Sequence, residues 1–424
     1  MQFLITYGQV HPLHHPEEPF VVAGHNESCY TLDGIDGSTI RNAGAMLLIW
    51  LRTTVGILLA GLTFTGGVAT ATELRVGIQQ GAKTVRVGVS GAAVVTDGTG
   101  RSLGTLPPML GFLAQVQGGQ VTLHTFRGRD LWVRPTDNSF VYISDDWYRG
   151  RLRLVARSDG LLAVNHVPLE EYLYSVVGSE MYPYWPLEAL KAQAVAARSF
   201  ALFRRRRPAD PDFDLGRTVT WQAYKGYSRE SDSTREAVTA TTGQVVTYRG
   251  QIIEAVYHAA SGGHTENVED IWSTPRPYLR GVPDFDQEAP VYSWQKTFTQ
   301  AELSRLLPGL GQIKRFTPLR TTPLGRILQM RVTGTAGEKI FTGAELRRLL
   351  DLRSTLFQVT PTHDDLASTD PMNAPNGGFI FEGRGFGHGL GMSQWGAFAL
   401  AQRGYTYQQI LQYYYQGTEI RTWR

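Results

Sequence analysis

The stretch GSEMYPYW sets one acid, Glu180, beside Tyr182, Tyr184 and Trp185. A carboxyl at a helix end among rings loses hydration, which disfavours its charged form and raises its pKa. Glu180 is therefore a candidate proton donor, set against the commoner fate of a lone Glu, a solvated terminus. Lys191 and Arg198 follow seven residues apart, hence nearly on one helix face. They either position substrate or pack two helices. A cation tuning Glu180 directly would lower its pKa and weaken it as an acid. Gln193 is counted with them as a substrate contact.

Two further stretches carry polar chemistry. In IIEAVYHAASGGHTENVEDIW (252–272), an alternating run delivers Tyr257 and His258 to a turn at Ser261, Gly262 and Gly263. Glycine there lets the backbone approach a ligand or take positive φ. His258 and His264 with Glu266, Glu269 or Asp270 invite a metal. Their six-residue spacing is unlike the i, i+4 pair of a metalloprotease helix, and no metal or other cofactor is expected. In FIFEGRGFGHGLGMSQWGAFALAQRGY, glycines alternate at 383, 385, 387, 389 and 391 around His388. A dinucleotide fingerprint needs a preceding strand, a following helix and an acid about 20 residues on. A strand or loop pressed against other backbone fits better, and His388 read alone fits a satisfied buried histidine equally well.

The elements that must hold these residues follow from periodicity. Leu169, Tyr172, Leu173, Val176 and Val177 form the i, i+3, i+4, i+7, i+8 stripe of an amphipathic helix, which stops before Pro183. A second helix opens at Pro186 and runs Leu187, Leu190, Ala194, Ala197 and Ala201 along one face. The basic run from Arg204 to Arg207 reads as a solvated last turn that complements the helix dipole. From Glu73 to about residue 155, ELRVGI, KTVRVGVS, AAVVTD, QVTLHTF, SFVYIS and RLRLVA alternate like strands between turn signals, which predicts a small barrel or sandwich. Helices at 300–307 and 342–350 with strands near 327–332 look like an insertion. Helices at 392–403 and 406–415 close the chain.

The segment LEEYLYSVVGSEMYPYWPLEALKAQAVAARSFAL resembles the core of the SpoIID/LytB family of bacterial cell-wall proteins. YHAASGGHTENVEDIW and GRGFGHGLGMSQWGA resemble its two other characteristic runs, so the likeness spans roughly residues 75–420. It implies that Glu180 is the catalytic acid of a peptidoglycan lytic transglycosylase. It also implies that Tyr257, His258, Ser261, Gly262, Thr265, His388, Ser393 and Gln394 lie along the substrate groove. Tyr182 stands before Pro183, where the family usually has proline directly after the methionine. Some members hold zinc through cysteines near the second run; this chain lacks them, and zinc is not carried over.

The expected fold class is α+β: a β-rich N-terminal module (73–155), then a mixed α/β core (156–295 and 376–424) interrupted by an inserted small α/β subdomain (296–375). Residues 1–45 show no sustained period and read as disordered or as an upstream extension of the gene model. Residues 46–72 show the charged, apolar and small-residue order of a signal peptide, or of an uncleaved anchor. Translation is expected to begin at Met46 and cleavage to follow Ala71. This predicts an exported protein of the periplasm or cell wall, touching membrane only through that segment. A net charge of +3 over 424 residues gives no nucleic-acid signal, and one cysteine, Cys29, excludes an internal disulfide. The expected partner is the glycan strand of peptidoglycan. Two alternatives remain: a non-catalytic enhancer that partners a cell-wall amidase, and a hydrolase using Glu269 or Asp270 as a second carboxylate.

Overall fold

The computed structural model describes residues 2–4, 72–272, 274–362 and 377–423. The expected export segment lies outside these residues apart from Thr72, as does most of 1–45. Gln2–Leu4 forms a short strand along 110–112, a departure from the irregular stretch expected there.

All six strands expected between 73 and 155 are present, and others join them. They form two sheets whose inward residues, Val85 and Val87 on one and Leu131 and Val133 on the other, belong to a single core. That core also holds Leu173, Val195 and Ile410 from the helices. The expected boundary near 155 is therefore not a break in packing. The strand Gly160–Pro168 pairs with both Arg151–Arg157 and Glu73–Ala82 and runs straight into the first helix. It escaped a search for alternation because it is buried on both faces over 161–167, which removes the period-2 signal.

Helix α1 (Leu169–Glu180) buries the whole expected stripe. Met181 then turns extended and the helix stops. Helix α2 (Leu187–Arg205) follows Pro186. Its alanines do more than line one face: Ala189, Ala192, Ala194, Ala196, Ala197 and Ala201 are all fully buried. Small side chains let α1, α3 (Asp232–Ala240) and the strand Gln244–Tyr248 close on α2 together. At its end, Arg204 is not simply solvated; it pairs with Glu254 at 2.6 Å and lies over Phe200 and Trp221.

After the short helix α4 (Val268–Ile271) comes the insertion. The helices α5 (Gln300–Leu306) and α6 (Gly343–Leu349) each begin with a Thr–Glu capping box, which satisfies two free backbone N–H groups at once. Its second core begins at Trp294 and reaches Phe379 and Phe381. The strand Gly378–Arg384 lies between Ser293–Thr299 and Phe357–Pro361, with Phe298 and Phe316 edge-on to its phenylalanines. The packing unit thus runs from about 293 to 384, and the expected boundary at 376 falls inside it. Helices α7 (Gln394–Gln402) and α8 (Tyr407–Tyr414) return to α2.

This arrangement decides the roles of Lys191 and Arg198 on α2. Arg198 is fully buried; its guanidinium bonds Glu170 at 2.9 and 2.6 Å and the carbonyls of Gln244 and Val238. Lys191 bonds Glu188 at 2.7 Å, while the other Glu188 oxygen accepts the Tyr407 N–H at the start of α8. Arg198 ties α2 to α1, while Lys191 pairs within α2 with the glutamate that holds the start of α8. Packing therefore replaces the substrate-contact expectation for Arg198, and Lys191 supports a helix contact through Glu188. Arg198→Ala is expected to cost about 3 kcal/mol or more, since it breaks a buried pair and leaves a cavity. Urea unfolding checks it; a lost ligand affinity at unchanged stability would return Arg198 to the groove.

Candidate active site

Glu180 is the last residue of α1, so its side chain leaves a helix end and faces the rest of the core. One carboxylate oxygen accepts the backbone N–H of Ala223 at 2.7 Å; the other accepts Gln394 Nε2 at 3.3 Å. Gln394 opens α7, and its Nε2 also lies 3.5 Å from Gln193 Oε1. A second chain of polar groups runs alongside. Tyr172 donates to Gln222 Oε1 at 3.0 Å, and Gln222 Nε2 donates to Tyr257 Oη at 3.0 Å. The field of Glu180 contributes to holding both tyrosines above their ordinary pKa, behind the larger effect of burial.

Burial pushes the Glu180 carboxyl above its ordinary range; the Ala223 and Gln394 bonds and the Lys225 ammonium oppose this and do not cancel it. Lys225 is exposed, so water screens its pull. The expectation of a shielded acid at a helix joint is met, though the rings differ in part from those expected. Tyr182 and Tyr184 are exposed at 51 % and 79 %, whereas the buried Tyr172 and the partly buried Tyr257 are the rings that feel the charge of the carboxyl.

The distant stretches meet through a parallel pairing of Tyr257–His258 with Met392–Ser393. This seats Gln394 at Glu180. The glycine run makes the approach feasible. Gly387 and Gly391 have φ of 126° and 66°, and a Cβ would meet His258 Cβ at 2.5 Å and Val256 O at 2.1 Å. Side chains there would force the strands apart.

Several expected groove residues turn inward instead. Ser261 is fully buried and donates to Asp284 at 2.6 Å, while the N–H groups of Gly262 and Gly263 bond Asp286 at 2.8 and 2.9 Å. Thr265 is buried and exchanges bonds with the Val282 backbone. Ser393 caps α7 by accepting the Gly396 N–H. These residues hold the backbone and are not placed to contact a ligand, because their polar atoms are spent in the core. His258 is buried, with Nδ1 3.1 Å from Leu390 O, and burial pushes its pKa well down. His388 lies beside it at 5.1 Å between ring centroids. Burial, Arg347 and Arg326 push it down to about 4, so both rings are neutral at neutral pH. His264 turns back on the Thr265 carbonyl. Glu269 is committed to Arg280, which holds its carboxyl below the ordinary range.

Sequence reading missed Gln222, Ala223, Lys225 and Arg326. The 221–225 segment has no periodicity, and a backbone N–H such as that of Ala223 has no side-chain signature. Arg326 is buried beneath the glycine run, donates to Ser261 O at 2.5 Å and pairs with Glu266 at 3.5 Å, fastening the insertion to the core. A cavity of about 450 Å³ includes Ala223 and Lys225 in its walls. A larger one of about 700 Å³, walled by Trp294, Leu324, Phe357 and Glu382, lies on the insertion and takes in none of the residues that hold Glu180.

A raised pKa has a thermodynamic consequence. Below the ordinary value of 4.5, folded and unfolded chains are both protonated. As pH rises through it, the unfolded state ionises first, so Glu180 costs stability until pH passes its folded pKa and continues to do so above. Glu180→Gln is therefore expected to unfold at a higher temperature than the parent at pH 7, the gap closing below pH 4.5. Thermal unfolding across that range checks it.

The family of stage II sporulation proteins matches residues 157–248, and a domain family of unknown function matches 278–391. The chain is 34 % identical to stage II sporulation protein D of Bacillus subtilis over 278 residues, covering 61 % of this chain and 76 % of that one. It is 31 % identical over 294 residues to an uncharacterised protein of Brachyspira hyodysenteriae, covering 68 % and 76 %. It is 28 % identical over 293 residues to an amidase enhancer of Bacillus subtilis, covering 59 % of this chain and 40 % of the enhancer.

Proposed function

Because the chain belongs to the SpoIID/LytB family, we propose that it is an exported cell-wall enzyme that cleaves peptidoglycan glycan strands by lytic transglycosylation, with Glu180 as acid and then base. The observation that carries this reading is a carboxyl kept above its ordinary pKa by burial, yet oriented by the Ala223 N–H and Gln394 Nε2. Those two bonds fix where its proton points.

The chemistry needs one carboxyl. Protonated Glu180 gives its proton to the glycosidic oxygen between N-acetylmuramic acid and N-acetylglucosamine as the C1–O bond breaks. The resulting carboxylate takes the proton of the muramic acid C6 hydroxyl as that oxygen bonds to C1, closing a 1,6-anhydro ring. The enzyme ends as it began. A glycoside hydrolase ordinarily needs a second carboxylate to activate water or attack C1; an attacking group carried by the sugar is already in place. The commitment of Glu269 to Arg280 speaks against that residue as the second carboxylate of a hydrolase.

The likeness to an amidase enhancer supports a second reading, a wall-binding partner of a cell-wall amidase that cuts nothing. Product analysis separates them. Purified protein is expected to release anhydromuramoyl fragments from glycan strands, falling by roughly 10²–10⁴-fold in Glu180→Gln while binding persists. Its rate should decline as pH rises through the raised Glu180 pKa, because only the protonated acid starts the reaction. Reducing ends would point to hydrolysis, and intact strands to the enhancer.

A further inference from the structure

Two of the largest exposed apolar side chains stand immediately after the candidate acid. Tyr182 and Tyr184 stack on each other with ring centroids 5.3 Å apart and planes 24° apart. Beneath them Trp185 is buried and packs on Trp395 at 4.7 Å, with Tyr182 6.4 Å from Trp395. The loop carrying them is held. The Trp185 N–H closes a turn on the Tyr182 carbonyl at 3.0 Å, and Ser233 of α3 donates to the Pro183 carbonyl at 2.6 Å. Two stacked, exposed rings on a braced loop offer a preformed aromatic face with polar tips at its rim.

We propose that Tyr182 and Tyr184, on the base of Trp185 and Trp395, form a stacking platform for a pyranose ring of the glycan, one subsite beyond the bond that Glu180 addresses. The proposal rests on the catalytic reading for the identity of its ligand. Continuity decides the occupant: the platform begins two residues after Glu180, and Trp395 directly follows Gln394, the donor to its carboxyl. A sugar ring has an apolar C–H face and a hydroxyl rim. Tyrosine offers an apolar body and a polar tip at little conformational cost. Because the loop is already braced, little ordering entropy is lost when the ring docks.

The test uses the full protein carrying Glu180→Gln, which traps uncut ligand, and N-acetylglucosamine oligomers of two to six units as probes in calorimetry. Affinity is expected to climb with oligomer length. Adding Tyr182→Ala and Tyr184→Ala should weaken the longest oligomer roughly ten-fold, the scale of one or two aromatic contacts, and leave the dimer unchanged. Phenylalanine at both positions should restore the climb, since rings and not hydroxyls make the contact. An unchanged length dependence in the alanine variant, or no binding of any oligomer, overturns the platform. If parent protein cuts strands while the alanine variant binds all lengths as before, the platform fails and catalysis stands. If nothing is cut yet length-dependent, ring-dependent binding persists, catalysis fails and the platform stands.

Discussion

The site depends on a competition at one carboxyl. Removing Glu180 from water raises its pKa, while the Ala223 N–H and Gln394 Nε2 favour the charged form, and burial wins. An acid held by more donors would be ionised and inert as a proton source; one with none would be unoriented. Two donors, one from the middle of the chain and one from its last segment, leave it protonatable and aimed. Proteins accept such residues at a cost in stability, because a buried carboxyl adds nothing to folding when ionised.

That balance requires the chain's last segment to arrive beside its middle. The glycines at 387 and 391 let backbone and His258 approach within distances that a Cβ would forbid, and the parallel pairing at 257–258 sets the register. A shift of one residue there would turn Gln394 away from the carboxyl. Asp286, accepting from Gly262 and Gly263, and Arg326, donating to Ser261 O, brace the same turn from the far side. The polar residues of this turn are scaffolding, and the insertion contributes to the site through Arg326 without lining it.

Behind the site stands α2. Its alanines make it narrow enough for helices and a strand to close around it, and that closeness leaves Arg198 in a dry interior where only a bidentate carboxylate and two carbonyls satisfy it. The pair joins α2 to α1 across that interior, and removing either partner would leave the other without its counter-charge.

What could be read from sequence was what local spacing encodes. The stripe on α1, the stop before Pro183, the six strands expected between 73 and 155, the two helices of the insertion and the close approach of the glycine run all follow from period, propensity or sterics within a few residues. Glu180 itself was legible as an acid at a helix joint. What only the tertiary structure decided is where polar atoms spend their bonds. Ser261, Thr265, Ser393 and Arg198 have the composition of a binding groove and turn out to face the core. Gln222, Ala223 and Lys225, in a stretch without period, reach the candidate acid and the tyrosines beside it. A hydrogen bond is satisfied by whichever partner folding brings near, here residues 43 and 214 positions from Glu180, and no local pattern in the chain records that choice.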